Sequence, residues 1–244
     1  MHFPKNLKKH TALFCAFILS CSGVFAQEES ETRDWDDFDI FISAGYAADE
    51  TTINKPGISY TSRQFMIGIE GMGFIKPFDA VGFGGLLSLG CGIGLTENIE
   101  MDTPFAGRVK GNDGSGLTWS YYVEVGPALA LYAGDILRIE TDFCFAFGYK
   151  RDNPYNYADE DFHFNYSTYV RSDFGGFSTG VQAKFFPYMN FSPIIGWRYT
   201  RGYSGHIEIE NESYDSPSYN KTETYGCKYR FVRSTFYLGF SCSI

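Results

Sequence analysis

Past residue 26 the chain has two histidines, His163 and His206, and acid–base or metal chemistry would have to start from them. His163 follows Asp159, Glu160 and Asp161, and carboxylates beside an imidazole can make a general base or a metal ligand set. Both histidines fall in long polar stretches where solvated charge collects, and no nucleophile-elbow motif accompanies them. Asp34, Asp36, Asp37 and Asp39 lack the glycine and terminal glutamate of a calcium loop and read as a solvated lead-in. The cysteines have no CxxC or Cys/His spacing, so neither a metal nor a cofactor is expected. A different set of charges recurs at strand spacing. Glu70, Glu124, Glu140 and Asp142 stand against Arg138, Lys184, Arg198 and Arg233, with Gln64 and Gln182 beside them. Acids matched by bases have the chemistry of a buried ion-pair network, because charge is tolerated away from water only when paired.

These residues sit in segments of strict alternation. In Leu117–Tyr132 the odd positions are Leu117, Trp119, Tyr121, Val123, Val125, Pro127, Leu129 and Leu131, while the even ones include Thr118, Ser120, Glu124, Gly126, Ala128 and Ala130. The same reading picks out Phe38–Tyr46, Arg63–Phe74, Ala80–Leu95, Leu137–Tyr149, Phe174–Phe186, Phe191–Gly205 and Tyr229–Ile244. Short connections near Ile75–Asp79, Ala133–Asp135 and Pro187–Asn190 alternate with long ones near Ala47–Ser62, Thr96–Gly116, Lys150–Asp173 and His206–Lys228. Tight turns then lie at one end of the sheet and long loops at the other. Parity agrees, because polar-face residues are even-numbered on both arms of each tight hairpin. The pattern predicts an all-β fold: an eight-stranded antiparallel up-and-down transmembrane β-barrel over residues 38–244. Closure removes the edges that such strands would otherwise expose.

Composition narrows the class. The 244 residues include 27 Gly, 24 Phe, 18 Tyr and 3 Trp, with 44% hydrophobic and 20% charged residues. That excludes intrinsic disorder, and past the N-terminus the chain has no apolar run long enough for a membrane helix. A formal charge of −9 excludes a basic nucleic-acid-binding face. Residues 1–26 read as a signal peptide: Lys5, Lys8 and Lys9, an apolar stretch Thr11 to Leu19, and small residues at Val24 and Ala26. The mature chain then begins at Gln27 with an acidic periplasmic lead-in over 27–37. Cleavage removes three lysines and no acid, taking the formal charge from −9 to −12. Ile18-Leu19-Ser20-Cys21 loosely matches a lipidation box without its usual leucine. Cys91, Cys144, Cys227 and Cys242 remain. Export makes a disulfide chemically available, but the strand reading separates most of them and favours free thiols.

Size decides which face points inward. An eight-stranded interior is just wide enough to be filled by side chains, too narrow for a Phe, Tyr or Trp from nearly every strand. The bulky face therefore meets lipid, and the Gly, Ala, Ser and charged face fills the lumen. Interfacial girdles are expected from Tyr46, Phe65, Trp119, Tyr121, Phe147, Tyr149, Tyr199 and Tyr203 at the loop end, and from Phe38, Phe83, Phe185, Phe191 and Phe240 at the turn end. The long connections hold 16 of the 29 acids, and with Tyr155, Tyr157, Tyr166, Tyr169, Tyr214 and Tyr219 they form a surface able to meet ligands or cations.

In this architecture the chain resembles the small outer-membrane barrels of Gram-negative-type bacteria: the OmpA transmembrane domain, OmpX, OmpW and the opacity proteins. The resemblance is architectural over 38–244. It implies an outer-membrane location and partners in the bilayer, lipopolysaccharide or an equivalent outer-leaflet lipid, and the outer-membrane insertion machinery. That machinery reads a C-terminal assembly signal. Tyr237, Gly239, Phe240 and Ile244 fit its spacing, while Cys242 and Ile244 stand where aromatics are usual. Three roles follow from the resemblance. The favoured one is a non-enzymatic structural or surface-interaction protein, its lumen plugged by paired charges, with a possible host ligand held by the loops. The others are a narrow channel or hydrophobic-ligand conduit of the OmpW kind, and a lipid-modifying enzyme.

Overall fold

The computed structural model describes residues 37–243 except 55–56, 79, 104–106, 112–115, 160–163 and 214–220. The expected signal peptide, Cys21, His163 and Ile244 lie outside the described residues. Nine strands run through the described part: β1 Asp37–Ile53, β2 Ile58–Phe78, β3 Val81–Thr103, β4 Gly107–Gly111, β5 Leu117–Ala133, β6 Leu137–Asp159, β7 Phe164–Phe185, β8 Phe191–Ser213 and β9 Lys221–Ser243. Every pairing is antiparallel. The hydrogen-bonded order is β2-β1-β9-β8-β7-β6-β5-β3, and β2–β3 pairing closes it into an eight-stranded ring. β4 lies outside the ring, folded back on the end of β3 from Ile99↔Gly111 to Thr103↔Gly107.

Register fixes the barrel's geometry. From Phe41 the successive partners are Glu70, Ser88, Glu124, Ala146, Gly176, Gly202 and Phe231. Phe231 leads back to Thr51, ten residues along from the start. A ten-residue stagger over eight strands tilts them by about 40°. The bore is then so narrow that inward side chains touch across it.

Alternation sorts the side chains as the size argument requires. Ile67, Ile69, Leu87, Leu89, Phe143, Phe145, Leu238 and Phe240 face outward and are exposed. The two girdles are present as well. At the turn end Phe38, Phe83, Phe185, Phe191 and Phe240 are exposed, Phe191 to 72%. At the loop end Trp119, Tyr121 and Tyr149 form one cluster, with ring centroids 5.1–6.1 Å apart.

Glycine on the inner face has a sharper reason than a narrow lumen. An inward aromatic of one strand lies flat across a glycine of its neighbour. A Cβ on Gly90 would lie 2.2 Å from the Tyr122 ring, one on Gly202 2.1 Å from Phe231, and one on Gly196 2.4 Å from Tyr237. Each pair is joined by register: Gly90↔Tyr122, Gly202↔Phe231 and Gly196↔Tyr237. The aromatic thus gains a flat seat without widening the ring.

The long connections depart from the sequence reading. Most of each stretch expected as loop is strand. The hairpins continue past the apolar belt and leave only residues 54–57, 160–163 and 214–220 between the ends of β1–β2, β6–β7 and β8–β9. Thr96–Gly116 carries the unforeseen β4. The physical reason is that the interior stays apolar beyond the membrane. Ile53, Ile58, Tyr60, Ile99, Met101, Tyr155, Val170, Ile207, Ile209, Tyr229 and Phe231 form a buried cluster, which repays strand pairing outside the bilayer.

Candidate functional site

Three layers of buried charge cross the bore. They follow from inner faces that carry ionisable residues among small ones: Arg138, Glu140 and Asp142 at every second position of β6, and Asp39 and Asp49 ten residues apart on β1. Nearest the tight turns, Asp39 of β1 accepts from Arg138 of β6 and from Lys184 of β7, the latter at 2.7 Å. Arg138 also pairs with Glu140, whose other oxygen accepts from Gln182. Ser243 donates to Asp39 at 2.7 Å, and Phe41, Met72, Phe74, Leu86 and Ile194 pack around the layer. Two acids meet two bases here.

The middle layer centres on Arg198 of β8. Its guanidinium donates to Glu70 at 3.0 and 3.3 Å, to Glu124 at 2.9 Å and to Asp142 at 3.0 Å. The Thr200 hydroxyl donates to the second Glu124 oxygen at 3.3 Å. Three carboxylates therefore surround one cation. A cavity of about 20 Å³, lined by Ser43, Glu70, Tyr122, Glu124 and Arg198 among others, lies beside it and has room for one water.

In the third layer Arg233 of β9 grips Asp49 at 2.8 and 2.9 Å, and Lys150 reaches Asp49 at 3.2 Å and Asp152 at 3.3 Å. Gln64 donates to Asp49 at 2.8 Å and accepts from Ser120 at 2.8 Å. Above this layer lies the apolar cluster of the extended hairpins. Charge and hydrocarbon thus alternate along the bore.

All eight charges singled out from sequence point inward, but they fall into separate layers and not one four-against-four set. Glu140, Arg138 and Lys184 sit in the first, Glu70, Glu124, Asp142 and Arg198 in the second, and Arg233 in the third. Four partners stand outside the sequence expectation: Asp39, read with the solvated lead-in, Asp49, in one expected loop, and Lys150 and Asp152, in another, all point into the bore. The signal is in the parity: Asp39 and Asp49 share the odd, inward face of β1 with Phe41 and Ala47, and Lys150 and Asp152 continue the even face of Glu140 and Asp142. Tyr155 also leaves the expected loop surface and is buried, while Tyr169 lies on β7 with Arg151 4.4 Å from its ring. Tyr157, Tyr166, Tyr214 and Tyr219 have side chains outside the described residues.

His206 is exposed on β8, and its backbone N–H donates to the Ser204 hydroxyl at 3.2 Å. Among the described residues no group of three His, Cys, Asp or Glu is arranged to hold a metal. Cys91, Cys144 and Cys242 are free thiols. Tyr237 points inward and donates to Gln182 at 2.9 Å, a Cβ on Gly239 would lie 2.2 Å from the Ile42 carbonyl oxygen of β1, and Phe240 faces outward.

Solved structures of low sequence identity share the fold. The outer membrane protease OmpT from Escherichia coli is 8% identical, over 88% of this chain and 99% of its own, with a TM-score of 0.53. The outer membrane protein OprG from Pseudomonas aeruginosa is 10% identical over 84% of this chain and 95% of its own, at 0.45. Ail, the attachment invasion locus protein of Yersinia pestis, is 11% identical over 84% and 98%, at 0.38. At these identities the likeness is one of fold, and of these three OmpT carries it. No protein-family model and no curated protein matches the chain. The closed ring, its apolar belt and its girdles make the chain an integral outer-membrane β-barrel.

Proposed function

We propose that the chain is a closed, non-enzymatic outer-membrane barrel that works through its outer surface and not as a conduit. The observation that supports this reading most directly is the stacking of three charge layers and a buried apolar cluster along one bore. An ion crossing it would have to break several buried ion pairs and then enter hydrocarbon. The extended hairpins suit a rigid recognition surface, because strands anchored on an apolar interior present fixed side chains where a floppy loop would not. We assign Tyr237, Gly239, Phe240 and Ile244 to recognition by the insertion machinery, and outer-leaflet lipid as the surrounding partner.

The test replaces each extended hairpin in turn by a tight turn at the girdle level. Binding of cells to host or surface ligands and uptake of small solutes are then measured. Binding lost with permeability unchanged supports the reading. A change in solute uptake with binding intact contradicts it. The enzymatic alternative is checked separately: replacing His163 and His206 together should leave the envelope lipid pattern and substrate-peptide cleavage as they are.

A further inference from the structure

The outward face of β8 carries Trp197, Tyr199, Arg201 and Tyr203 at alternate positions, which puts a guanidinium in a row that otherwise meets lipid. Arg201 is flanked by Phe177 of β7 and Val232 of β9, and Phe177 is exposed to the bilayer. Its guanidinium lies 5.1 Å from the Tyr203 ring, and its buried Nε has no hydrogen-bond partner. Arg230 of β9 stands opposite Tyr203 on the same outward face and is exposed. The other outward arginines are paired: Arg63 with Glu97 at 3.0 Å, Arg108 with Glu100 at 2.7 Å, and Arg171 and Arg151 with Glu210. Among the described residues Arg201 and Arg230 have no such carboxylate. Glu50 of β1, opposite Val232, and the exposed Asp173 of β7, opposite Tyr149, are the acids on the adjoining outward rows.

A cation on a lipid-facing row is tolerable only near the interface and with an anion to meet it. Diagonal cross-strand neighbours are close enough to share one ligand, and two guanidinium forks match the oxygens of a phosphate group. We propose that Arg201 and Arg230, with the Tyr203 hydroxyl between them, form a clasp for the phosphate of an outer-leaflet phosphoglycolipid. The proposal rests on the outer-membrane placement and extends the surface reading by naming a lipid partner and its position.

The test uses the full-length protein refolded in detergent micelles doped with diphosphorylated lipid A, with its dephosphorylated counterpart, or with inorganic phosphate alone. Bound lipid is counted by native mass spectrometry. The wild type is expected to retain the phosphorylated lipid and to lose it on dephosphorylation. R201Q and R230Q should each weaken retention about fivefold and the double variant about 25-fold, while R63Q on β2, whose arginine is paired with Glu97, leaves retention unchanged. Equal retention of the dephosphorylated lipid, or of either lipid by the double variant, overturns the clasp. Displacement by inorganic phosphate at matched concentration overturns the lipid assignment. Each sample is run unboiled in SDS. A missing folded band for the wild type contradicts the barrel itself, and a folded band with phosphate-independent binding contradicts only the clasp. If R201Q gives no folded band, R201K carries the test: it keeps charge but loses the forked donor, and unchanged retention would overturn the proposal.

Discussion

Replacing Arg198 by methionine removes the one cation that, among the described residues, bridges Glu70, Glu124 and Asp142. Methionine fills much of the same volume, so the loss is electrostatic. Four charge-assisted hydrogen bonds of 2.9–3.3 Å disappear, and three carboxylates are left facing each other in a site closed to bulk water. Breaking a buried ion pair by deleting one partner costs about 3–5 kcal/mol, a large share of the roughly 5–15 kcal/mol that holds a typical domain. The opposite change should be mild. Glu124→Gln reduces three carboxylates to two around the same arginine, and the amide oxygen still accepts from Arg198 or Thr200. It should stay within about 1 kcal/mol of the wild type. The assay is equilibrium urea unfolding of refolded protein in lipid vesicles, followed by tryptophan fluorescence and by the unboiled SDS mobility shift. If Arg198→Met costs less than about 1 kcal/mol, or if Glu124→Gln costs as much as Arg198→Met, the three-to-one reading of the middle layer is wrong.

Three further outcomes follow from the geometry. Gly90→Ala and Gly202→Ala should each cost about 1–3 kcal/mol in the same unfolding assay, since the new methyl group meets an aromatic ring. Tyr122→Ala should suppress the Gly90→Ala defect, and full additivity of the two would refute the seat. Ile209→Ala, in the apolar cluster of the extended hairpins, should cost about 2–5 kcal/mol of local stability. It should let protease cut the hairpins while the membrane-protected fragment stays intact; an unchanged digestion pattern counts against a packed extension. On the β3–β4 hairpin, a hydrogen bond from Arg108 holds the exposed Glu100 carboxyl below its usual range. The hairpin contact should therefore be full above the ordinary carboxylate range and be lost as pH falls through the lowered value. Arg108→Gln should raise the Glu100 midpoint in an NMR titration.

Much of the barrel was legible because strand parity is a local property. Leu117–Tyr132 and Leu137–Tyr149 declare both faces within one segment, and the narrowness of eight strands settles which face is inside. The hairpin extensions were not legible for the same reason. Past the belt, residues such as Glu208 and Glu210 face water while Ile207 and Ile209 face an interior, and the polar half dominates a reading by composition. Asp49, Lys150 and Asp152 lie beyond the expected strand ends and Asp39 stands among the lead-in acids, although each keeps the parity of its strand. The layering of the charges depends on stagger. Asp39 meets Lys184 across 145 positions of sequence, and only the ten-residue offset of the ring brings those levels together. β4 has no alternation of its own to announce it, being five residues long.

The central claim is that the bore is closed, and single-channel recording tests it directly. Pure, refolded full-length protein inserted into planar bilayers, with insertion verified by protease protection, is predicted to give a flat baseline at moderate voltage. Arg198→Met should be the variant that introduces current steps. Regular conductance steps from the wild type, abolished when the protein is denatured before addition, would contradict the account.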